Sequence, residues 1–326
     1  MQVVSIDQTV LPHSRELCLA GAGCDLQTTS LELAGMLEDL STPQSVSYLN
    51  RFRIRVVVDE TSTESTGAPH FRGLHHVVIA SFGSSNVFVF DILRRTLSAS
   101  ISGAVARDCL FWKEKLIPIT LGVLGAAVGL VPVHCACLES EGDGLLVAGV
   151  SGAGKSTLSV ALADRGFNYV SDDWTYISQR QHGIVAHGTS APVKLLPDAV
   201  NHFHKLQEQR LQMSMNGELA YEVDIAEVFG ARVERECKPR WLVFLERMQQ
   251  AGAEFTSMGS SDARSYISSS VERLPAQLSH AVAMRDRTIE SVSLLPCWRL
   301  RYGGTPQFAA EQLWEFVANR KAKAYA

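Results

Sequence analysis

Apolar runs and glycine-rich turns alternate most clearly around residues 145–166. Residues 145–148 are continuously apolar, which is typical of a short buried strand. Residues 149–156, GVSGAGKS, are rich in glycine and predict a loop. The apolar positions beyond the loop recur at helical spacing, and Gly166 predicts the end of that helix; they are Leu158, Ala161 and Leu162.

The first hundred residues are predicted to be mainly β. Apolar and polar residues alternate there in several short segments, which favours half-buried strands. The sequence LELAGMLEDL predicts a helix from Leu31 to Leu40 that Pro43 would end. The predicted strands are residues 52–58, 77–81, 87–91 and 96–101, with a loop at 61–69 and a hairpin between the second and third strands.

One stretch invites comparison with a membrane span. Residues 107–116 look helical, and residues 116–133 are 18 uncharged residues, the threshold length for a spanning helix. Pro118 and Pro132 lie near its ends, however, and several glycines and alanines lower its hydropathy. We therefore expect a buried helix packed under the domain that contains the glycine-rich loop, and no membrane partner.

The rest of the chain predicts an α/β arrangement, because strands alternate with the loop and its helix. We expect two regions: residues 1–103, mainly β, and residues 104–326, a domain built around the glycine-rich loop and its helix. Residues 190–206 are expected to form a loop and then a helix, and the serine-rich residues 256–270 to be mobile or exposed. The predicted strands are residues 131–138, 167–170, 174–178, 183–187, 241–245, 291–295 and 298–302, followed by a helix at 307–318.

Composition narrows the classes of partner. The chain has 326 residues and a net charge of −4, and no basic stripe points to nucleic acid. Its beginning lacks the basic and apolar pattern of a signal peptide. Seven cysteines are scattered, and Cys135 and Cys137, two apart, suit a strand better than a zinc site. We expect a cytoplasmic protein with reduced thiols.

The glycine-rich loop matches the pattern G-x-x-x-x-G-K-[ST] in its required setting between a strand and a helix. Gly149, Gly152 and Gly154 let the backbone curl, so that its N–H groups and the helix N-terminus attract phosphate. Lys155 would reach the β- and γ-phosphates, and the Ser156 hydroxyl would be a magnesium ligand. The alternative is a glycine-rich turn with a surface lysine.

Two carboxylates follow the next predicted strand. Asp172 and Asp173 would lie at its carboxyl end, where α/β sheets bind ligands. One task for them is to hold magnesium, and another is to accept the proton of an attacking hydroxyl. The alternative is that they cap a turn. His134, in an apolar strand, is either a core residue or part of the same site.

The segment from residue 131 to residue 173 resembles the catalytic core of HPr kinase/phosphorylase. That family has a histidine on the preceding strand, a similar loop and a strand that closes on Asp-Asp. His134 precedes Lys155 by 21 residues and Asp173 follows it by 18, as in the family. The resemblance implies a phosphoenolpyruvate-carboxykinase-like P-loop fold, with ATP and Mg²⁺ as nucleotide and metal.

The resemblance also implies roles for individual residues. Asp173 would be the catalytic base, with His134 and Lys155 beside it in the active site. Ser156 and Asp172 would hold the metal. The loop residues that would bind the nucleotide are Gly149, Ser151, Gly152, Ala153, Gly154, Lys155, Ser156 and Thr157.

The chain departs from the family in two places. Thr157 stands where the family usually has glutamate, and residues 217–224, GELAYEVD, do not match its glycine-rich signature. The basic residues that would stabilise the transferring phosphoryl group are therefore not assigned, and the candidates are Arg232, Arg240 and Lys194.

The leading hypothesis is a kinase that transfers the γ-phosphoryl group of ATP to a hydroxyl, a serine or threonine of a protein or peptide. A small-molecule alcohol is the close variant. The alternative from another class is a nucleotide-binding regulator or scaffold without transfer, and a carboxykinase-type enzyme is a third. The β-rich region would shape the acceptor site or a contact between identical subunits.

Overall fold

A computed structural model describes residues 9–41, 51–181, 183–189, 191–214, 217–271 and 273–324. The fold is mixed α/β with large sheets. The chain divides into two compact units, residues 1–132 with 272–287, and residues 133–271 with 288–326. Pro43, predicted to end the first helix, and the first eight residues of the chain lie outside the described residues.

The first unit contains a seven-stranded sheet in the order β1-β2-β3-β7-β6-β5-β4. Helix α1 (Leu31–Asp39) follows β2 and is capped by Ser30, as the sequence predicted a helix there. The predicted strands in this region are confirmed, including the β5–β6 hairpin. The seven strands are β1 (His13–Leu19), β2 (Ala22–Thr28), β3 (Arg51–Asp59), β4 (Pro69–Leu74), β5 (Val77–Phe82), β6 (Val87–Asp91) and β7 (Thr96–Ser102).

The predicted division at residue 103 differs from the boundary between the compact units, because the next helices pack on the first sheet. Phe111 contacts Phe82 and Phe88 edge-on or tilted, with ring centroids 5.0 and 6.2 Å away. Trp112 is fully buried, and its indole N–H donates to Val105 O at 3.0 Å. The helical segments are α2 (Gly103–Arg107), α3 (Cys109–Phe111), a π-helical turn (Trp112–Leu116) and α4 (Ile117–Leu124).

The 18-residue apolar stretch is not one helix. Helix α4 ends at Leu124, a 3₁₀ turn covers Gly125–Val128, and β8 (Leu130–Val133) follows. Gly129 makes the reversal with φ 78°, a conformation that favours glycine. Helix α4 belongs to the first compact unit, whereas the glycine-rich loop belongs to the second. Among the described residues, no helix is long and apolar enough to span a membrane.

The second unit is built on a mixed sheet in which β11, β9, β10, β17, β13 and β12 are neighbours in that order. Strand β19 pairs with the later half of β17, and β18 pairs with β19. A separate antiparallel sheet has the order β14-β16-β15. The strands are β9 (Ala136–Ser140), β10 (Asp143–Gly149), β11 (Asn168–Ser171), β12 (Thr175–Arg180), β13 (Gly183–His187), β14 (Val193–Leu195), β15 (Leu211–Met213), β16 (Leu219–Val223), β17 (Glu236–Arg247), β18 (Gly252–Met258) and β19 (Cys297–Gly303).

Two helices cover one face of this sheet. Helix α5 (Lys155–Asp164) and helix α9 (Pro306–Ala324) bury apolar side chains against β10, β17 and β19. Leu158, Leu162 and Leu313 have no exposed surface, which anchors both helices in one core. The predicted loop-to-helix unit and its end before Gly166 are confirmed. The remaining helices are α6 (Ile225–Phe229), α7 (Ser260–Ser270) and α8 (Ser279–Ser293).

Three predictions of local structure are wrong, at residues 131–138, 190–206 and 291–295. Residues 131–138 form two strands, because a tight turn at His134 and Cys135 separates β8 from β9. The loop and helix predicted at 190–206 are β14 and two 3₁₀ turns, Pro197–Asn201 and His204–Glu208. Buried Val193 and Leu195 alternate with Lys194, which makes this segment a strand.

Most of residues 256–270 are exposed, as the sequence predicted, and they form the end of β18 and helix α7. Phe255, just before them in β18, stacks on Phe316 with centroids 4.1 Å apart. In α7, Ala263 and Ile267 are fully buried at helical spacing. The strand predicted at residues 291–295 is instead the end of α8.

Candidate active site

Sheet topology brings the predicted site residues to one edge. Strand β10 runs parallel to β17, which runs parallel to β19. Strand β9 is antiparallel to both β10 and β11, so β11 and β10 point the same way. The glycine-rich loop follows β10, and Asp172 follows β11, so both lie beyond carboxyl ends of parallel strands. This is where open α/β sheets bind ligands.

The loop has the backbone of a phosphate-binding nest. Gly152 and Gly154 have φ values of 78° and 91°, which side chains rarely tolerate. A Cβ on Gly154 would also collide with the Tyr302 hydroxyl. That hydroxyl donates to Ala153 O at 3.1 Å, and Tyr302 is buried. The end of β19 therefore fixes the conformation of the loop.

Lys155 begins α5 and is nearly buried. Its Nζ donates to Gly149 O at 3.0 Å, within the loop itself. Gly149 and Ala153 do not line the cleft, and the Ala153 side chain is buried in the core. The other predicted nucleotide-binding residues all line one cleft of about 470 Å³; they are Ser151, Gly152, Gly154, Lys155, Ser156 and Thr157.

Asp172 is a buried carboxylate in the same cleft. Neither of its oxygens has a hydrogen-bond partner among the described residues. Burial raises its pKa to about 6, although the nearby Ser156 hydroxyl and the charge of Lys155 oppose the shift. An orphaned buried carboxylate is costly unless a cation or donor satisfies it.

A magnesium ion fits this pair of residues. Mg²⁺ takes oxygen ligands and is usually held by one or two protein groups together with substrate phosphates and water. Asp172 and Ser156 provide a carboxylate and a hydroxyl beside a phosphate-binding loop. The described part of the chain contains no cluster of three or more His, Cys, Asp or Glu side chains that could hold a metal. A magnesium ion at this site would therefore take its other ligands from phosphate and water.

Asp173 is paired with His134. Their Oδ1 and Nε2 atoms are 2.7 Å apart, and the ring N–H donates to the carboxylate. Burial favours the neutral acid, but the hydrogen bond and charge of His134, with the charges of Lys155 and Lys194, lower the pKa of Asp173 overall. The carboxylate is therefore ionised at neutral pH.

The surroundings hold this pair in place. The His134 ring stacks on Trp174, with centroids 5.4 Å apart and planes at 30°. Asp173 has φ 63°, an uncommon conformation for a residue with a side chain. Such backbone strain persists where surrounding structure enforces it, and it often marks functional sites. The Thr175 hydroxyl donates to Cys135 O at 2.7 Å and so ties the two segments together.

The basic residues differ from those that the sequence suggested. Arg240 pairs with Asp143 at the opposite end of β10, and Arg232 pairs with Glu234, so neither lines the cleft. Lys194 does line it, paired with Glu218 at 2.5 Å.

The sequence analysis also missed several residues that line the cleft, among them Arg247, His202, Asp198 and Tyr302. Arg247 directly follows the apolar run WLVFLE and is the last residue of β17, which runs parallel to β10. The sequence marks the end of that run but not its pairing with β10, which is what brings Arg247 to the cleft.

Comparison with known proteins adds little to this geometry. No family model matches the chain, and no curated protein matches it in sequence. One similar solved structure is the HPr(Ser) kinase/phosphatase from Coxiella burnetii, 15% identical, with a TM-score of 0.33. The similarity covers 60% of this chain and 92% of that one. A TM-score this low carries no weight for function.

Proposed function

We propose that the protein is an ATP-dependent kinase that transfers the γ-phosphoryl group to a hydroxyl. The observation that carries the proposal is a single cleft shared by the phosphate-binding loop, the orphaned Asp172 and the hydrogen-bonded pair of Asp173 and His134. A glycine-rich turn with only a structural role would not require these groups to lie in one cleft. We also propose that the second unit is a phosphoenolpyruvate-carboxykinase-like P-loop domain.

The nucleotide would be held through its phosphates. Backbone N–H groups of the loop and the N-terminus of α5 attract anions, and Lys155 would leave the Gly149 carbonyl to meet the phosphate oxygens. Ser156 and Asp172 would hold magnesium, which supplies neutralising charge to the phosphates. The charge of the magnesium ion would then offset the cost of burying an ionised Asp172.

Asp173 would accept the proton of the acceptor hydroxyl. The acceptor oxygen forms a bond to the γ-phosphorus, the bond to the bridging oxygen breaks, and ADP leaves with the electron pair. A carboxylate of low pKa is a weak base, but in a loose transition state the proton moves late and orientation matters more. His134 supplies that orientation by its hydrogen bond to Oδ1.

The acceptor we propose is a serine or threonine of a protein or peptide. A nucleotide on the loop would fill much of a cleft of about 470 Å³, so the acceptor must reach in from outside. The Asp173 side chain is 62% exposed, which supports access by a hydroxyl presented on a protruding side chain. A small-molecule alcohol is the competing acceptor in the test below.

The setting we propose is a reducing compartment such as the cytoplasm. All seven cysteines are free, including Cys137 and Cys237, whose sulfur atoms are 3.4 Å apart. Disulfides persist mainly in oxidising compartments, so free thiols support this location. A homo-oligomer, with the first unit contributing a contact between subunits, is part of the same proposal.

The proposal is tested with radiolabelled ATP, magnesium, a library of serine and threonine peptides and a panel of small alcohols. We expect transfer to peptides by the wild type and a loss of about 10²–10⁴-fold in rate for Asp173→Asn, the range typical of a general base. ATP binding should persist in that variant. Full activity of Asp173→Asn would refute the base. A wild type that binds ATP but labels nothing would favour a nucleotide-binding regulator.

A further inference from the structure

Arg247 ends strand β17 beside the phosphate-binding loop. Gly149, the first loop residue, pairs with Leu245, so Arg247 lies two residues further along the neighbouring parallel strand. Side chains two apart on a strand share a face. Leu245 faces the core that α5 and α9 cover. The Arg247 side chain therefore lies on the face that carries the loop and its helix.

Tyr302 connects Arg247 to the loop. Arg247 and Tyr302 are register partners on β17 and β19, and the guanidinium lies 4.7 Å from the ring centroid. The hydroxyl of the same ring donates to Ala153 O in the loop. One buried aromatic residue thus positions both the loop backbone and the guanidinium at the cleft.

The positive charges in the cleft differ in how they are paired. Lys194 pairs with Glu218, and His134 pairs with Asp173. Arg247, the one arginine among the described residues that line the cleft, makes no hydrogen bond or ion pair within the described chain. A cation–π contact at an exposed site is weak, so the five N–H donors stay available to a ligand.

We infer that Arg247 binds the γ-phosphoryl group during transfer and stabilises its developing charge. The inference rests on the proposed function and names the cation that steadies the phosphoryl group, a role the sequence left open. A planar guanidinium matches two phosphoryl oxygens at once, which an ammonium does not. As the bond to ADP breaks and the bond to the acceptor oxygen forms, Arg247 would keep contact with the non-bridging oxygens.

The test needs no knowledge of the acceptor. Magnesium, ADP and aluminium fluoride together mimic the transferring phosphoryl group, whereas magnesium and ADP alone occupy the rest of the nucleotide site. We compare the affinity for ADP with and without aluminium fluoride in the wild type, Arg247→Gln, Arg247→Lys and Arg240→Gln. Arg240→Gln is the matched control, because it makes the same change on the same strand outside the cleft.

For the wild type, we expect aluminium fluoride to tighten ADP binding by about 10²-fold or more, as transition-state analogues do. In Arg247→Gln, ADP alone should bind within about threefold of wild type, and the tightening should fall by at least about 10-fold. Arg247→Lys should recover only part of the tightening, since lysine lacks the paired N–H donors of a guanidinium. Arg240→Gln should behave as the wild type.

Two results would overturn the inference. Undiminished tightening in Arg247→Gln would show that the guanidinium does not contact the phosphoryl group, and the proposed kinase activity would stand. Equal weakening of ADP binding with and without aluminium fluoride would assign Arg247 to packing around Tyr302. A wild type that binds no ADP at all would instead defeat the proposed function and the inference together.

Discussion

Replacing Asp172 by asparagine should stabilise the protein in the absence of magnesium while removing its response to magnesium. The carboxylate is buried, and both oxygens lack hydrogen-bond partners within the described chain. Burial raises the pKa of Asp172 from 3.8 to about 6. The folded state therefore holds the proton more tightly than the unfolded state, and ionisation at neutral pH works against folding.

The magnitude follows from the shift in pKa. Each unit corresponds to about 1.4 kcal/mol, so a shift of about two units costs the folded state about 3 kcal/mol above pH 6. The cost disappears below about pH 4, where Asp172 becomes protonated in both states; it grows between about pH 4 and pH 6 and is constant above that. For a unit of this size, such a change raises the midpoint of thermal unfolding by about 6–12 °C.

The assay is thermal unfolding in chelator at pH 7.5 and again at progressively lower pH. Asp172→Asn should unfold at a higher temperature than wild type at pH 7.5, and the difference should shrink toward pH 4. Asp173→Asn is the control, because it should lower the unfolding temperature instead of raising it. His134 lowers the pKa of the Asp173 carboxyl, so the ionised carboxylate stabilises the folded state at pH values above the unfolded pKa. Magnesium with ATP should stabilise the wild type but not Asp172→Asn. Equal stability at pH 7.5, or a difference independent of pH, would refute the reasoning.

Three further predictions concern the loop support and the core. Tyr302→Phe loses the bond to Ala153 O, so equilibrium titration should show ATP affinity reduced about 3–10-fold; unchanged affinity would exclude that support. Gly144→Ala places a Cβ 2.5 Å from Cys237 Sγ, so urea unfolding should show a loss of about 1–3 kcal/mol. Gly35→Ala meets nothing within 4 Å and serves as its control. Thiol titration of denatured protein should count all seven cysteines as thiols, and a lower count would contradict the proposed reducing compartment.

Local sequence was sufficient to predict the centre of the second unit. The apolar run before the loop, the loop glycines and the spacing of apolar residues after it are all short-range signals, and they give β10 and α5 as the structure has them. The two aspartates could be placed because they directly follow a predicted strand. Their proximity to Lys155 then needed only the rule that parallel strands end at one edge.

Long-range pairing was beyond the sequence. Arg247 reaches the cleft because β17 pairs with β10, and no local signal indicates which strand lies beside the loop. The candidates Arg232 and Arg240 looked equivalent in sequence but lie outside the cleft. The serine-rich α7 was missed because only two of its residues, Ala263 and Ile267, are buried apolar side chains. Two apolar positions are too few to indicate an amphipathic helix from sequence alone.

The most direct test of the central claim is equilibrium dialysis of the purified protein against ATP, with magnesium and with chelator. The account predicts one ATP bound per chain, with affinity that depends on magnesium and falls sharply in Lys155→Met. Wild-type protein that takes up no ATP in magnesium, or takes up the same amount after Lys155 is replaced, would contradict it.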